Sequence, residues 1–406
     1  MNTKSTMLKI LFILFILSMI TPYAFAYNSN SYKYYNNSAG IVYCDNWTQN
    51  YCNSIWDGAA TWNSHGGANF YFYNASYNPF LGLPSDTIQV YAWNTSSEGN
   101  LVGVTYYGWR WIDNKWYYND TYIVFNSSKI WSTQNFIIAP IHADVHTVSM
   151  HEFGHALGLD HSSTSTSIMY KHDLGIIRRN LDADDKNGIQ AIYGKKSLLS
   201  GLTNSLHSLG ITPSLSSSNF SKFELEIVEE NEVFFSKKVI DEYLNKYENV
   251  RAMTFLYEER TDADLVNYSD LIVCGTITEI SSGYWETADG LPPSKEELFR
   301  YPIFHDIIIE VDDVYKGKID NQTITIKQIG GVVDGYVLLN LDSFNYQKDN
   351  QVLLCLSEKL DSKGDNAYYS IIHGGEMLVM DNGLLYDSSG NEVELSQKLS
   401  DSKEKI

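Results

Sequence analysis

The chain has 406 residues, with 29 Lys+Arg against 49 Asp+Glu and a formal net charge of −20. That length allows two domains of ordinary size. The 44% hydrophobic content, with 14% aromatic residues, supplies apolar surface for a sizeable core. A chain this acidic is a poor partner for nucleic acid or an anionic membrane, because phosphates select basic patches.

Composition divides the chain. Residues 27–196 hold eight of the nine Trp and carry 10 Lys+Arg against 13 Asp+Glu, a net of −3. Residues 197–406 carry 17 against 36, a net of −19. The first segment reads as a targeting signal. Lys4 and Lys9 are basic, Ile10 to Ile20 is apolar but too short to favour a membrane span, and Ala24-Phe25-Ala26 is a small-x-small cleavage site. The expectation is a signal peptide over 1–26 and a secreted, extracellular protein with no membrane association afterwards. Four cysteines in an exported chain suggest disulfides. One bridge per domain is the simplest pairing, Cys44 with Cys52 and Cys274 with Cys355, and other pairings stay open.

A helix is predicted over 45–64, with Asp45 as a possible N-cap and Trp47, Tyr51, Ile55, Ala59 and Trp62 along an apolar face. Strand-like runs follow at Asn69–Tyr73, Thr87–Trp93, Leu101–Trp111 and Thr121–Asn126. Asp144 is placed to cap a helix that begins at Val145.

That helix carries the most informative stretch, His151-Glu152-Phe153-Gly154-His155-Ala156-Leu157-Gly158-Leu159-Asp160-His161. His151 and His155 are four apart, so they share one helix face a turn apart. Gly158 can take the left-handed conformation that ends a helix, which lets the chain turn and deliver His161. Three protein ligands with a fourth position open are the pattern of a catalytic zinc, not a structural one. Glu152 is placed as a general base toward water in that position.

Beyond a polar loop, Ser162–Ser167, comes Ile168-Met169-Tyr170. An acid-led helix then closes the region from Leu181 to Gly194. Residues 196–222 are Ser/Leu/Gly-rich and read as a linker. A short helix is predicted around Ser236–Tyr247. Strands are predicted at Leu271–Ile280, Phe304–Val314, Gln322–Ile329, Tyr336–Leu341, Val352–Leu356, Tyr368–Ile372 and Met377–Met380. Residues 223–395 are therefore expected to form a β-rich accessory domain, an antiparallel barrel or sandwich, followed by a polar tail at 396–406.

The segments HEFGHALGLDH, SIMY and DDKNGIQAIYG, in that order and spacing, resemble the matrixin branch of the metzincins over about residues 40–195. The resemblance implies an α+β catalytic domain, a twisted mixed sheet with helices above a cleft. His151, His155 and His161 would bind one zinc ion, Glu152 would activate water, and Met169 would form the Met-turn beneath the metal. It also admits calcium, with no ligand set readable. Protein or peptide substrate would pair along an edge strand at about Leu101–Tyr107. The chain lacks the Pro-Arg-Cys-Gly type of segment with which animal matrixins cap the zinc. Asp270–Ile277 with Asp313–Gly317 loosely resembles OB-like, netrin-type barrels. The function expected is a secreted zinc endopeptidase. A cell-wall peptide hydrolase and a vestigial zinc-binding adhesion protein are the alternatives.

Overall fold

A computed structural model gives the architecture. It describes residues 29–30, 32–43, 47–72, 86–93, 100–134, 142–173, 175–194, 237–258, 260–287, 289–294, 301–360, 367–380, 383–388 and 392–393. The signal segment, the linker at 196–222, Cys44, Asp45 and the tail at 396–406 lie outside the described residues.

Two helices pack face to face in the N-terminal region: α1 (Gln49–Trp62) and α2 (Val145–Ala156). Gly58 makes the approach close, since a Cβ there would stand 2.6 Å from that of Ser149. The fully buried Trp62 indole donates to the Met150 carbonyl at 2.9 Å, which satisfies its one polar atom. α1 is shorter than the predicted span of 45–64.

A sheet covers these helices. β1 (Ser38–Tyr43), β2 (Asn69–Phe72), β3 (Thr87–Trp93), β4 (Leu101–Ile112) and β5 (Lys115–Asn126) run in the spatial order β2–β1–β3–β5–β4. All pairs are parallel except β4 with β5. That antiparallel hairpin turns at Asp113 and Asn114, both at positive φ (49° and 61°), as a tight two-residue turn requires. β6 (Ile130–Ser132) and β7 (His142–Asp144) form a separate two-stranded ladder that leads into α2. β8 (His172–Asp173) and α3 (Ala183–Tyr193) follow.

The sheet does not end at β4. After α4 (Lys237–Lys246), β9 (Asn249–Glu258) pairs antiparallel with β4 from Leu101 to Gly108. Leu101–Tyr107 is therefore not an edge strand in this chain, which corrects that expectation. β9 also escaped the sequence reading. It is buried on both faces from Ala252 to Tyr257, so polar and apolar residues do not alternate.

The remaining elements are α5 (Asp262–Tyr268), β10 (Leu271–Ile280), β11 (Tyr284–Trp285), β12 (Ile303–Lys316), β13 (Thr323–Ile329), β14 (Gly331–Val333), β15 (Tyr336–Asn340), β16 (Gln351–Leu360), β17 (Ala367–Val379), β18 (Leu385–Tyr386) and β19 (Glu392–Val393). β15 runs parallel to β9 on the side away from β4, and β14 pairs with β15, so strands from both halves of the chain share one sheet. β10, β12, β13, β17 and β16 close a ring of five strands, with β13 and β17 parallel. Its interior is aliphatic and includes Val273, Ile309, Ile326, Leu354 and Leu356. The fold is thus α+β, a mixed sheet with helices followed by a β-rich region.

The Cys274–Cys355 expectation is corrected, and Cys44 lies outside the described residues, among which no disulfide is present. In the β10–β16 ladder Cys355 faces Ile272 while Cys274 faces Leu353. The two cysteines are thus diagonal neighbours, about 7–8 Å apart in such ladders, beyond the reach of an unstrained bridge.

Candidate zinc site

Asp144 begins the site. Its carboxylate accepts from the Thr147 amide (2.9 Å) and hydroxyl (2.7 Å), capping α2 as predicted. Arg179 pairs with the same carboxylate at 2.5 Å. At the other end Gly158 has φ +91°, and a Cβ there would lie 2.4 Å from the Tyr32 carbonyl. Only glycine suits that turn, and it returns the chain so that His161 faces the helix.

His151, His155 and His161 converge. Their Nε2 atoms form a triangle with sides of 3.0, 3.2 and 3.3 Å. Zn–N bonds of about 2.0–2.1 Å at tetrahedral angles put ligand nitrogens about 3.3 Å apart. The triangle therefore fits a zinc ion. Among the described residues, these three histidines are the group suited to holding a metal.

Each ring is turned by its other nitrogen. Nδ1 of His151 donates to the Ile168 carbonyl at 2.8 Å, and Nδ1 of His155 to the Leu159 carbonyl at 2.8 Å. Nδ1 of His161 lies 2.9 Å from the Asp342 carboxylate. Acceptors on all three Nδ1 atoms leave the Nε2 lone pairs free and aimed at one point. Burial pushes the His151 imidazole down to about 3, and that of His155 well below its ordinary value. Both are therefore neutral, the form a metal requires.

Glu152 is fully buried beneath β4. The Thr105 hydroxyl donates to its Oε2 at 2.6 Å, while Oε1 has no hydrogen-bond partner. Gly103 leaves room for it, since a Cβ there would stand 2.5 Å from Oε1. Burial raises its carboxyl to about 8, against the opposing pull of the Thr105 bond. Met169 packs against Gly154, where a Cβ would meet its sulfur at 2.2 Å. Its segment is tied down by Asp185, which accepts from the Ile168 amide (2.9 Å), the Met169 amide (3.2 Å) and the Ser167 hydroxyl (2.5 Å).

The structure thus brings together His151, Glu152, His155, His161 and Met169. The described cysteines, Cys52, Cys274 and Cys355, are not in the histidine group. Thr105 and Asp342 were missed by sequence reasoning. No local signal marks Asp342, which reaches His161 only because β15 docks beside β9.

Comparison with known proteins agrees with this geometry. Residues 112–194 match the family model for matrixin. A stretch of 49 residues is 51% identical to matrix metalloproteinase-27 of Homo sapiens, covering 12% of this chain and 10% of that protein. Another of 58 residues is 43% identical to karilysin of Tannerella forsythia, covering 14% and 12%. A third of 70 residues is 40% identical to metalloendoproteinase 2-MMP of Arabidopsis thaliana, covering 17% and 18%. The chain spans less than a fifth of the length of these relatives. Around its histidine triad it carries a matrixin-like segment of the metzincin type.

Proposed function

We infer that the chain is a zinc-dependent endopeptidase, exported from the cell, that hydrolyses peptide bonds in protein or peptide substrates. The Nε2 triangle carries this reading, because its size and the three Nδ1 acceptors suit one zinc ion with an open position. Bound zinc would polarise water and a scissile carbonyl near neutral pH.

The chain's own residues supply the rest. His151, His155 and His161 would hold the ion through their Nε2 atoms. Glu152 takes the proton of the attacking water at Oε1, while Thr105 fixes Oε2, and then delivers that proton to the leaving amine. Glu152, whose carboxyl burial pushes up, would become the carboxylate that a base needs beside a bound cation. Met169 and Asp185 fix the floor of the site.

The expected result is one zinc per chain by elemental analysis and chelator-sensitive cleavage of a denatured protein such as casein. Glu152→Gln should keep the zinc and the fold and lose about 10²–10⁴-fold in kcat/KM. Comparable cleavage by variant and parent would overturn the assignment.

A further inference from the structure

β9 lies where an extended substrate would have to lie. β4 is the strand that borders Glu152, through Thr105 and Gly103, and β9 pairs with it over Leu101–Gly108. On its other side β9 runs parallel to β8, where His172 faces Tyr257 and Asp173 faces Glu258. β8 directly follows the segment that carries Met169. The strand is thus held in a slot between the two borders of the cleft.

The side chains of β9 are sorted to match. Ala252 and Leu256 join the core that includes Met150 and Val148 of α2. Met253, Phe255 and Tyr257 join the cluster on the opposite face, with Val104 and Tyr106. Leu256 lines a small pocket with Val148, His151, Ile168, Tyr170 and His172. Thr254 stands directly across from Thr105, so its side chain lies on the Glu152 face of the sheet. Asp342 locks the arrangement: one carboxylate oxygen accepts from the Phe255 amide, and the other bonds His161. Near the strand's ends, Arg251 pairs with Asp120 at 3.8 Å and Glu258 with Lys129 at 2.8 Å.

We propose that β9 is an internal pseudosubstrate: Asn249–Glu258 fills the cleft as an extended peptide, with Leu256 in the pocket beside His151, and holds the site latent until it is displaced. The proposal rests on the peptidase reading of the triad. A tethered segment competes at an effective concentration of about 1 mM, so modest intrinsic affinity suffices to exclude free peptide.

The test uses the full zinc-loaded chain, a fluorescent peptidyl hydroxamate as a probe of the open zinc position, and a quenched peptide library. Leu256→Asp puts a charge into the apolar pocket. It should bind the probe ~10-fold or more tighter than the parent and raise kcat/KM by a similar factor. A synthetic Asn249–Glu258 peptide added to the variant should restore inhibition. Hydrogen exchange on the unmutated chain guards against misfolding of the variant: saturating probe should strip protection from amides 250–258. Equal probe affinity in both forms, with unchanged protection under the probe, would overturn the proposal. Equal cleavage by both forms would also overturn it and leave the peptidase reading intact. Tighter probe binding by the variant with no cleavage by either form would keep the occluding strand and remove the peptidase reading.

Discussion

Two strands flank β4, and they arrive by opposite routes. β5 is joined to it by a two-residue turn, and the pairing is settled within one hairpin. β9 comes from beyond residues 195–236 and pairs over a similar length with no local link. The hairpin side pays little loop-closure entropy and is intrinsic to the N-terminal region. The remote side is conditional, since another extended chain of the same polarity could make the same ladder bonds. One border of the site is therefore structural, and the other is exchangeable.

That contrast can be strained at points of decreasing effect. Phe125→Ala empties a buried ring position on β5 that packs edge-on to Trp47 and Trp131. It should cost about 3–5 kcal/mol in urea unfolding; a loss below about 1 kcal/mol would show that the hairpin side is not the rigid one. Asp342→Asn weakens the distant support of His161, and zinc affinity in a competing-chelator titration should fall about 10–100-fold. An unchanged affinity would mean that the C-terminal half plays no part in aiming the triad. Asn114→Val forces a β-branched residue into the left-handed turn conformation and should cost roughly 1–2 kcal/mol, with Asn114→Gly near the parent. Equal losses for the two would remove the turn as the cause.

The smallest effect concerns pH. Glu376 is buried, with the hydroxyls of Ser343 and Tyr346 against it, and burial raises its carboxyl from 4.5 to about 7. The folded state therefore favours the protonated acid. This stabilisation is complete below the unfolded pKa and is lost as pH rises through the folded one. Glu376→Gln, neutral at every pH, should raise Tm by a few degrees at pH 8 and show a much smaller gain at pH 5. A gain confined to acid pH would contradict this sign.

The candidate zinc site was readable because its histidines are local. His151, His155 and His161 fall within eleven residues, and helix pitch with one glycine turn determines their meeting. The Asp144 cap and most barrel strands were legible for the same reason, since each rests on a few neighbouring residues. β9 was not legible, because a strand buried on both faces shows no alternation. Asp342 was not legible either. It meets the Phe255 amide across 87 positions, through a register that no local pattern encodes. The Cys274–Cys355 pairing failed on geometry, since a suitable count and an expected compartment do not determine which Cβ atoms face each other.

β9 is an interior strand, with β4 on one side and β15 and β8 on the other. Withdrawing it would leave unpaired backbone on both banks of the gap, and a peptide that re-pairs with β4 alone leaves β15 bare. Such edges seek partners in other molecules. Opening would therefore turn a paired sheet into a self-associating surface, and the behaviour of the opened form would depend on how concentrated it is.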